Sequence, residues 1–316
     1  MHILRDGEPP LTHLSAVAIG VFDGLHVGHQ KIIARLGEIA RRHKARATVV
    51  TFDPHPATVL APERAPLLIG SLDQRLEGLE RLGVEQVRIL SFDEVLARES
   101  ATSFVERVLV KELQTRHVVV GEDFHFGHNR EGNVALLEQL GEQHHFEVHP
   151  APIFGDGVRW SSTSVRESLQ AGDLTLANKI LGRPFTLRAT VVHGDARGRE
   201  LGFPTANLKF SSRHLMPGIG IYAGAARAEG EWWAGAVSVG TRPQFYDDGS
   251  VLVEVHLAGF GGDLYDSVLD VAFLEHLRGE MVYEDLGELV KQIERDVEQT
   301  VAIFGEFTPS ANVLLG

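Results

Sequence analysis

Residues 16–29 read AVAIGVFDGLHVGH, an apolar run that leads into a turn rich in glycine and histidine. The apolar run predicts a buried strand, and apolar residues at helical spacing between Ile32 and Ala40 predict a helix after the turn. Glycines let a ligand approach the backbone closely, and a helix N-terminus favours phosphate. His26 and His29 are three residues apart, so both imidazoles can face the same phosphate and donate hydrogen bonds to it.

Strand and helix patterns alternate through the first half of the chain. Further strands are expected at residues 48–52, 87–90 and 118–120, with helical patterns between them. This alternation predicts an α/β domain whose parallel sheet is covered by helices on both faces. Since ligands bind at the carboxyl ends of such strands, the chemistry is expected just after each one.

The pattern changes at about residue 182. Short strands separated by turns are expected at residues 187–193, 221–226, 232–239, 251–257 and 268–273, which predicts a small sandwich or barrel. Apolar residues on one face between Leu286 and Val301 predict a closing helix. We therefore expect two domains, residues 1–182 and 183–316, joined through a helical segment.

The composition excludes several classes of protein. The 316 residues include 30 Lys and Arg against 43 Asp and Glu, and a net charge of −13 is unfavourable for general nucleic-acid binding. The absence of cysteine excludes disulfides, zinc–thiolate sites and thiol nucleophiles. With no apolar run of 18 residues and no secretory signal at the start, we expect a cytoplasmic protein without a membrane or nucleic-acid partner.

Later segments of the first half fit the same phosphate site. They are residues 52–56, 121–133 and 159–166, and the last of these reads RWSSTSVR. The hydroxyls at a predicted helix start, followed by Arg166, form a second group that can bind phosphate. Taken alone, Ser162 or Thr163 is equally compatible with a simple helix N-cap.

A second constellation opens the second half, where residues 192–207 read VHGDARGRELGFPTAN. Three glycines and two arginines make a locally basic loop suited to phosphates, although it is not a P-loop. Thr205 and Asn207 alternate to one face of a strand, so both oxygens can reach one magnesium ion. Glu254 faces away from Val253 and Val255; periodicity alone favours a solvent-facing carboxylate over a general base.

These motifs resemble known families. The HVGH turn resembles the signature of Rossmann-like nucleotidyltransferases, and residues 182–283 resemble riboflavin kinase, a small β-barrel. The whole chain resembles the bacterial bifunctional riboflavin kinase/FAD synthetase family over residues 14–305. The matching kinase segments are GFPTAN (202–207), PGIGIY (217–222), GTRP (240–243), VEVH (253–256), DLY (263–265) and LRGE (277–280).

The resemblance implies two ATP-dependent reactions, each with Mg²⁺. The C-terminal domain would phosphorylate riboflavin to FMN, and the N-terminal domain would transfer AMP to FMN, giving FAD and pyrophosphate. Glu254 would be the kinase base, His26 and His29 would serve adenylyl transfer, and Thr205 and Asn207 would hold the metal. The implied nucleotide-binding residues are Gly20, Phe22, Asp23, Gly28, Asp123, Arg159, Ser162, Thr163, Arg166, Gly194, Arg197, Gly198, Arg199 and Gly202. The implied flavin-binding residues are Phe203, Pro204, Tyr222 and Arg242.

Five positions depart from the family pattern. They are Ala189, Ser238, Gln244, Gly259 and Asp266, where the family usually has Gly, Asn, Thr, Asp and Gly. At Asp266 a non-glycine residue is expected to strain a turn. None is a proposed catalytic residue, but together they motivate an alternative, an FAD synthetase whose barrel only binds flavin.

A histidine-dense stretch motivates a different alternative, a metal-binding or regulatory protein, because imidazoles bind zinc and nickel. His144 and His145 diverge by about 100° on a helix and cannot chelate as a pair. Zinc or nickel that is retained through purification and lost on substitution of His125 and His128 would support this alternative. The stretch comprises His117, His125, His128, His144, His145 and His149.

Overall fold

A computed structural model describes residues 1–194, 197–241 and 251–308, without the side chain of Arg197. The chain divides into two compact units. The first unit comprises Met1–Pro66 and Arg75–Ser161, and the second comprises Leu67–Gln74 and the residues from Ser162 onward.

The first unit is built on a six-stranded parallel sheet with the order β1-β4-β3-β2-β5-β6. Its strands are β1 (His2–Leu4), β2 (Ser15–Ile19), β3 (Arg46–Asp53), β4 (Gln86–Ser91), β5 (Thr115–Gly121) and β6 (Glu147–Ala151), followed by a hairpin of β7 (Gly155–Asp156) and β8 (Val158–Arg159). The chain order reverses at β2, which lies between β3 and β5. The carboxyl ends of β2 and β5 therefore form the switch point at which ligands bind in such sheets.

Helices separate the strands of the first sheet. They are α1 (Val27–His43), α2 (Pro56–Leu60), α3 (Leu72–Arg81), α4 (Glu94–Ala97), α5 (Ala101–Phe104, continuing as a π-helix over Val105–Glu112) and α6 (Val134–His144). The core is apolar because strand residues such as Val17, Val50 and Val118 are fully buried against helix residues such as Leu109 and Leu137. Burial of this kind is the main stabilising contribution to the fold.

In the second unit, the sandwich-or-barrel alternatives resolve to a closed barrel with the strand order β10-β13-β12-β11-β14-β9. Its strands are β9 (Phe185–Val192), β10 (Ala206–Lys209), β11 (Gly220–Ala228), β12 (Glu231–Thr241), β13 (Val251–Leu257) and β14 (Val268–Arg278). Its helices are α7 (Ser162–Gln170), α8 (Leu174–Leu181), α9 (Arg197–Glu200) and α10 (Leu286–Glu306). The predicted α/β domain, barrel and C-terminal helix are thus confirmed.

Several elements differ from the predicted ones. Strands β1, β6, β7 and β8 were not predicted, and β14 continues five residues beyond Phe273. Asp266 has a φ of 60°, the left-handed conformation that favours glycine, as its place in the predicted turn implies.

Within the part of the chain that the structure describes, no helix combines the length and apolar character needed to cross a membrane.

Candidate functional site

His26 and His29 lie side by side where β2 gives way to α1. Nδ1 of His26 accepts the backbone N–H of His29 at 3.4 Å, so His26 is the N-cap of α1. In its neutral form His26 therefore carries its proton on Nε2. The two rings are stacked with centroids 3.7 Å apart, which gives the end of β2 two adjacent imidazoles at a helix N-terminus.

The environment of His29 keeps its imidazole neutral. Burial lowers the pKa of His29 well below its usual value, and the nearby His26 and Arg75 lower it further. Its Nδ1 is buried and has no hydrogen-bond partner among the described residues. A buried polar atom without a partner is unfavourable, so this atom is suited to meet a ligand.

The turn before α1 packs tightly around these histidines. Phe22 is buried in the left-handed conformation at φ 56°, and its ring meets that of His29 edge to face at 5.0 Å. A Cβ at Gly20 would lie 3.2 Å from the Phe22 ring, and a Cβ at Gly28 would lie 3.0 Å from that of His26. Asp23 is also buried. These glycines are needed for the close packing, so the turn has a defined shape.

Arg75 is a residue of this region that the sequence analysis missed. Its guanidinium is buried and donates to Oγ1 of Thr51 at 3.2 Å and to the carbonyl of Phe52 at 3.1 Å. Burial lowers its pKa, whereas the charges of Asp23 and Asp53 raise it. The sequence did contain a signal for this position. Residue 75 lies three positions after Leu72 and four before Leu79, so it shares the helix face of these two apolar residues.

Asp123 and Arg159 form an ion pair in the first unit. Asp123 follows β5, and its carboxylate folds back over Gly121, where a Cβ would lie 3.0 Å from Oδ1. The carbonyl of Trp160 would lie 3.4 Å from a Cβ at Gly28, so the segment after β8 reaches the start of α1. Nζ of Lys31 lies 5.0 Å from the Trp160 ring centroid and adds a second cation.

Three of the residues predicted to bind phosphate belong to the second unit. Helix α7 begins at Ser162, as the hydroxyl-rich stretch predicted, and Thr163 is exposed in its first turn. Nε of Arg166 donates to the carbonyl of Leu67 at 2.7 Å. The roles of Ser162, Thr163 and Arg166 in nucleotide binding stay predictions from the resemblance.

The barrel presents a row of polar side chains on three neighbouring strands. Asn207 on β10 is the register partner of Glu254 on β13, and Glu254 is the partner of Ser238 on β12. Side chains directly opposite each other on a sheet lie about 4.5–5.5 Å apart at Cβ. Glu254 is half-buried and lines a cavity of 580 Å³.

The 580 Å³ cavity is closed on one side by α10. Leu289, Ile293 and Val297 of that helix line it together with Met281 and Tyr283. Two polar residues that were not among the predicted site residues hold this wall in place. Nη2 of Arg278 donates to Oδ2 of the buried Asp296 at 2.6 Å, and this hydrogen bond, ahead of the Coulombic attraction, raises the pKa of Arg278.

A second cavity of 410 Å³ lies on the other side of Thr205, which lines both. Arg199 and residues 260–265 line this smaller cavity. A Cβ at Gly194 would overlap the side chain of Asn207, and a Cβ at Gly198 would overlap the carbonyl of Phe203. Gly202 has a φ of 89°, so the loop needs glycine at all three positions.

The predicted flavin residues divide into three cases. Phe203 lines the larger cavity, Pro204 lines the smaller one, and Nδ1 of His256 donates to the Pro204 carbonyl at 2.8 Å. Tyr222 is 1% exposed in the barrel core, where its hydroxyl donates to Gly218 at 2.5 Å and burial raises its pKa. Arg242 and the departure at Gln244 lie outside the described residues, as does the side chain of Arg197.

Comparisons with known proteins match both halves of the chain. The family profile described as FAD synthetase matches residues 9–164, and the profile described as riboflavin kinase matches residues 181–304. A bifunctional riboflavin kinase/FMN adenylyltransferase from Pseudomonas fluorescens is 41% identical over 92% of this chain and 94% of its own length. The chain belongs to this family.

Other relatives agree with this family assignment. The bifunctional riboflavin kinase/FMN adenylyltransferase from Bacillus subtilis is 33% identical over 96% of this chain and 95% of its own length. These relatives carry both activities in one chain, so the single-activity alternative is not favoured. A crystal structure titled as a macrolide-efflux protein from Streptococcus pneumoniae superposes with a TM-score of 0.86 at 30% identity, covering 95% of this chain and 99% of that one.

The histidines of the metal alternative separate in the structure. Nδ1 of His125 donates a hydrogen bond to the backbone carbonyl of Asp123, and Nδ1 of His128 donates one to the carbonyl of Ala97. Among the described residues, the group with metal-ligand spacing is instead His117, Glu147 and His149. His125 and His128 do not belong to this group.

Proposed function

We propose that the barrel phosphorylates riboflavin to FMN with ATP and that the α/β domain then joins FMN and AMP into FAD, releasing pyrophosphate. Membership of the bifunctional family supports both reactions. The observation that carries the residue assignment is the register pairing of Asn207 with Glu254 beside two cavities that share Thr205. The proposed domain boundary lies at residue 182, and the use of ATP supports a cytoplasmic location.

The larger cavity is the proposed flavin site. A cavity of 580 Å³ with apolar walls and a few polar groups suits a flat aromatic ligand with a polar chain. Phe203 and α10 would contact the flavin ring, and the ribityl chain would extend toward the row of Asn207, Glu254 and Ser238. The smaller cavity, with Arg199 and the loop of Gly194, Gly198 and Gly202, would take ATP.

Glu254 is the proposed general base. Its carboxylate would take the proton from the ribityl 5′-hydroxyl while that oxygen bonds to the γ-phosphorus and the bond to the bridging oxygen of ADP breaks. Thr205 and Asn207 carry oxygen ligands of the kind Mg²⁺ prefers. Thr205 lines both cavities, and Asn207 is the register partner of Glu254, which lines the larger one. Bound Mg²⁺ would neutralise charge on the phosphates.

His26 and His29 are the proposed phosphate ligands of adenylyl transfer. A phosphate oxygen of FMN would bond to the α-phosphorus of ATP, and the bond to pyrophosphate would break, without a covalent enzyme intermediate. Nε2–H of His26 and the ring N–H of His29 would donate hydrogen bonds to the oxygens on which charge increases. Gly20, Phe22, Asp23 and Gly28 would shape the pocket, and Asp123 with Arg159 would lie near the nucleotide or flavin end.

A coupled time course tests the proposal. The purified full chain is incubated with riboflavin, ATP and Mg²⁺, and the flavins are separated and quantified. We expect FMN to rise first and FAD to follow, with both reactions stopping when EDTA removes Mg²⁺. Formation of FAD from added FMN, without any FMN from riboflavin, would restore the single-activity alternative.

A further inference from the structure

The amino-terminal half of the first sheet carries a cluster of histidines that neither reaction uses. His117 is the third residue of β5, and its register partner is Glu147, the first residue of the edge strand β6. His149 lies two residues after Glu147 on the same face of β6. Because β5 reaches the nucleotide end only at Gly121, this cluster lies away from the phosphate-binding turn.

The three side chains converge to metal-ligand distances. Nδ1 of His117 lies 3.2 Å from Nε2 of His149 and 3.6 Å from Oε2 of Glu147. Two imidazole nitrogens bound to one tetrahedral zinc ion lie about 3.3 Å apart, given Zn–N bonds of about 2.0–2.1 Å. One ligand atom from each of the three residues lies within 4.8 Å of the others.

The surroundings of the cluster favour a cation bound through nitrogen. His117 is buried, and its ring centroid lies 4.0 Å from that of His43. Imidazole binds zinc through a neutral ring nitrogen, and both ring nitrogens of the pair are available on strands that already lie side by side. Glu147 supplies the negative charge. A 530 Å³ cavity lined by His43, His117 and Glu147 leaves room for water in a fourth position.

We propose that His117, His149 and Glu147 bind one zinc ion that fastens the edge strand β6 to β5. Two nitrogens and one carboxylate oxygen form a ligand set that suits zinc and differs from the oxygen ligands proposed for Mg²⁺. The role is structural: the ion joins two strands whose main-chain pairing is already formed, and it holds the outermost strand of the sheet in place.

Zinc titration of the full chain tests the site. Protein without an affinity tag is freed of metal with EDTA, which is then removed, and Zn²⁺ is added in competition with a chromophoric chelator. We expect one zinc per chain, and at least a tenfold loss of affinity in H117Q/H149Q. The matched control is H125Q/H128Q, which removes two histidines of the same stretch and should bind zinc as the unaltered chain does.

Two further measurements keep the test decisive. Glu147 is exposed, so E147Q should fold normally and still lose at least tenfold in zinc affinity. Zinc should raise the melting temperature of the unaltered chain but not of H117Q/H149Q, because a ligand stabilises only the state that binds it. The proposal fails if no stoichiometric zinc binds, or if H117Q/H149Q and E147Q bind zinc as tightly as H125Q/H128Q; the two histidines then share only a hydrogen bond.

Discussion

Asn207 and Glu254 lie directly opposite each other on β10 and β13. The proposed metal ligand and the proposed base therefore stand on adjacent strands, and the backbone pairing of the sheet sets the spacing between them. Hydrogen bonds between strands hold this spacing without help from a loop. We expect sites built on such strands to need little rearrangement when substrates bind.

Replacing Glu254 separates the two activities. E254Q keeps the size of the side chain but removes the base, so FMN formation from riboflavin should fall by about 10²–10⁴-fold. FAD formation from added FMN should stay within twofold, because the α/β domain is unaltered. Both rates are measured on the same preparation.

The exposed Glu275 on β14 provides the matched control. E275Q removes a carboxylate of the same barrel outside the proposed site and should leave both rates unchanged. Equal kinase rates in E254Q and in the unaltered enzyme would show that Glu254 is not the base.

Replacing His29 should give the opposite pattern. H29N removes the imidazole beside the proposed α-phosphate position, and loss of one such donor reduces catalysis by about 10²–10³-fold. We expect that loss in FAD formation from FMN, while FMN formation from riboflavin is retained. A loss of both activities in H29N, with E254Q also losing both, would contradict independent sites.

His29 should also make the stability of the first unit depend on pH. Its pKa in the folded chain lies below the unfolded value of 6.5, so below pH 6.5 the unfolded chain binds a proton that the folded chain does not. The free energy of unfolding should therefore fall as the pH decreases from 7 to 5, by at most about 1.4 kcal/mol per pH unit from this group.

H29Q should remove that part of the pH dependence. Urea unfolding can be followed through Trp160, the tryptophan of the first unit, in a chain that also carries W232F and W233F. His117 and His149 are present in both proteins, so their contributions cancel in the difference. Identical slopes with and without His29 would contradict a lowered pKa of this imidazole.

Asp296 is expected to support flavin binding through α10. D296N leaves the guanidinium of Arg278 with a neutral partner, which should reduce the free energy of unfolding of the second unit by about 1–3 kcal/mol. Because α10 lines the larger cavity, the KM for riboflavin should rise more than kcat falls. E298Q, an exposed change on the same helix, should alter neither value, and an unchanged riboflavin KM in D296N would argue against this role.

The sequence predicted the parts of the fold that follow from local pattern. The alternation around Ile19 and Val120 predicted the parallel sheet, and the glycines and histidines after Ile19 predicted the turn that leads into α1. The edge strand β6 was missed because Pro150 and polar residues break the apolar pattern, which an edge strand does not need. Strand β1, only three residues long, carries too little pattern to be recognised.

The candidate sites depend on contacts that are distant in sequence. Alternation predicted that Glu254 and Val253 lie on different faces of β13. Only the closure of the barrel and the packing of α10 decide that the face of Glu254 lines a cavity. Arg75 and Asp296 lie in helices that carry several other charged residues, so the sequence does not single them out, and their partners Thr51 and Arg278 could not be found from spacing. The pairing of His117 with Glu147 depends on the register of β5 and β6.

The register of β13 also limits how this barrel can change in length. Inserting one residue between Val253 and Glu254 would turn Glu254 and His256 away from the cavity and turn Val255 toward it, because strand faces alternate with every residue. An insertion of two residues would keep the faces but displace Glu254 from Asn207. Insertions and deletions inherited in this enzyme should therefore accumulate in the turns between strands, while β13 keeps a fixed length even where its side chains vary.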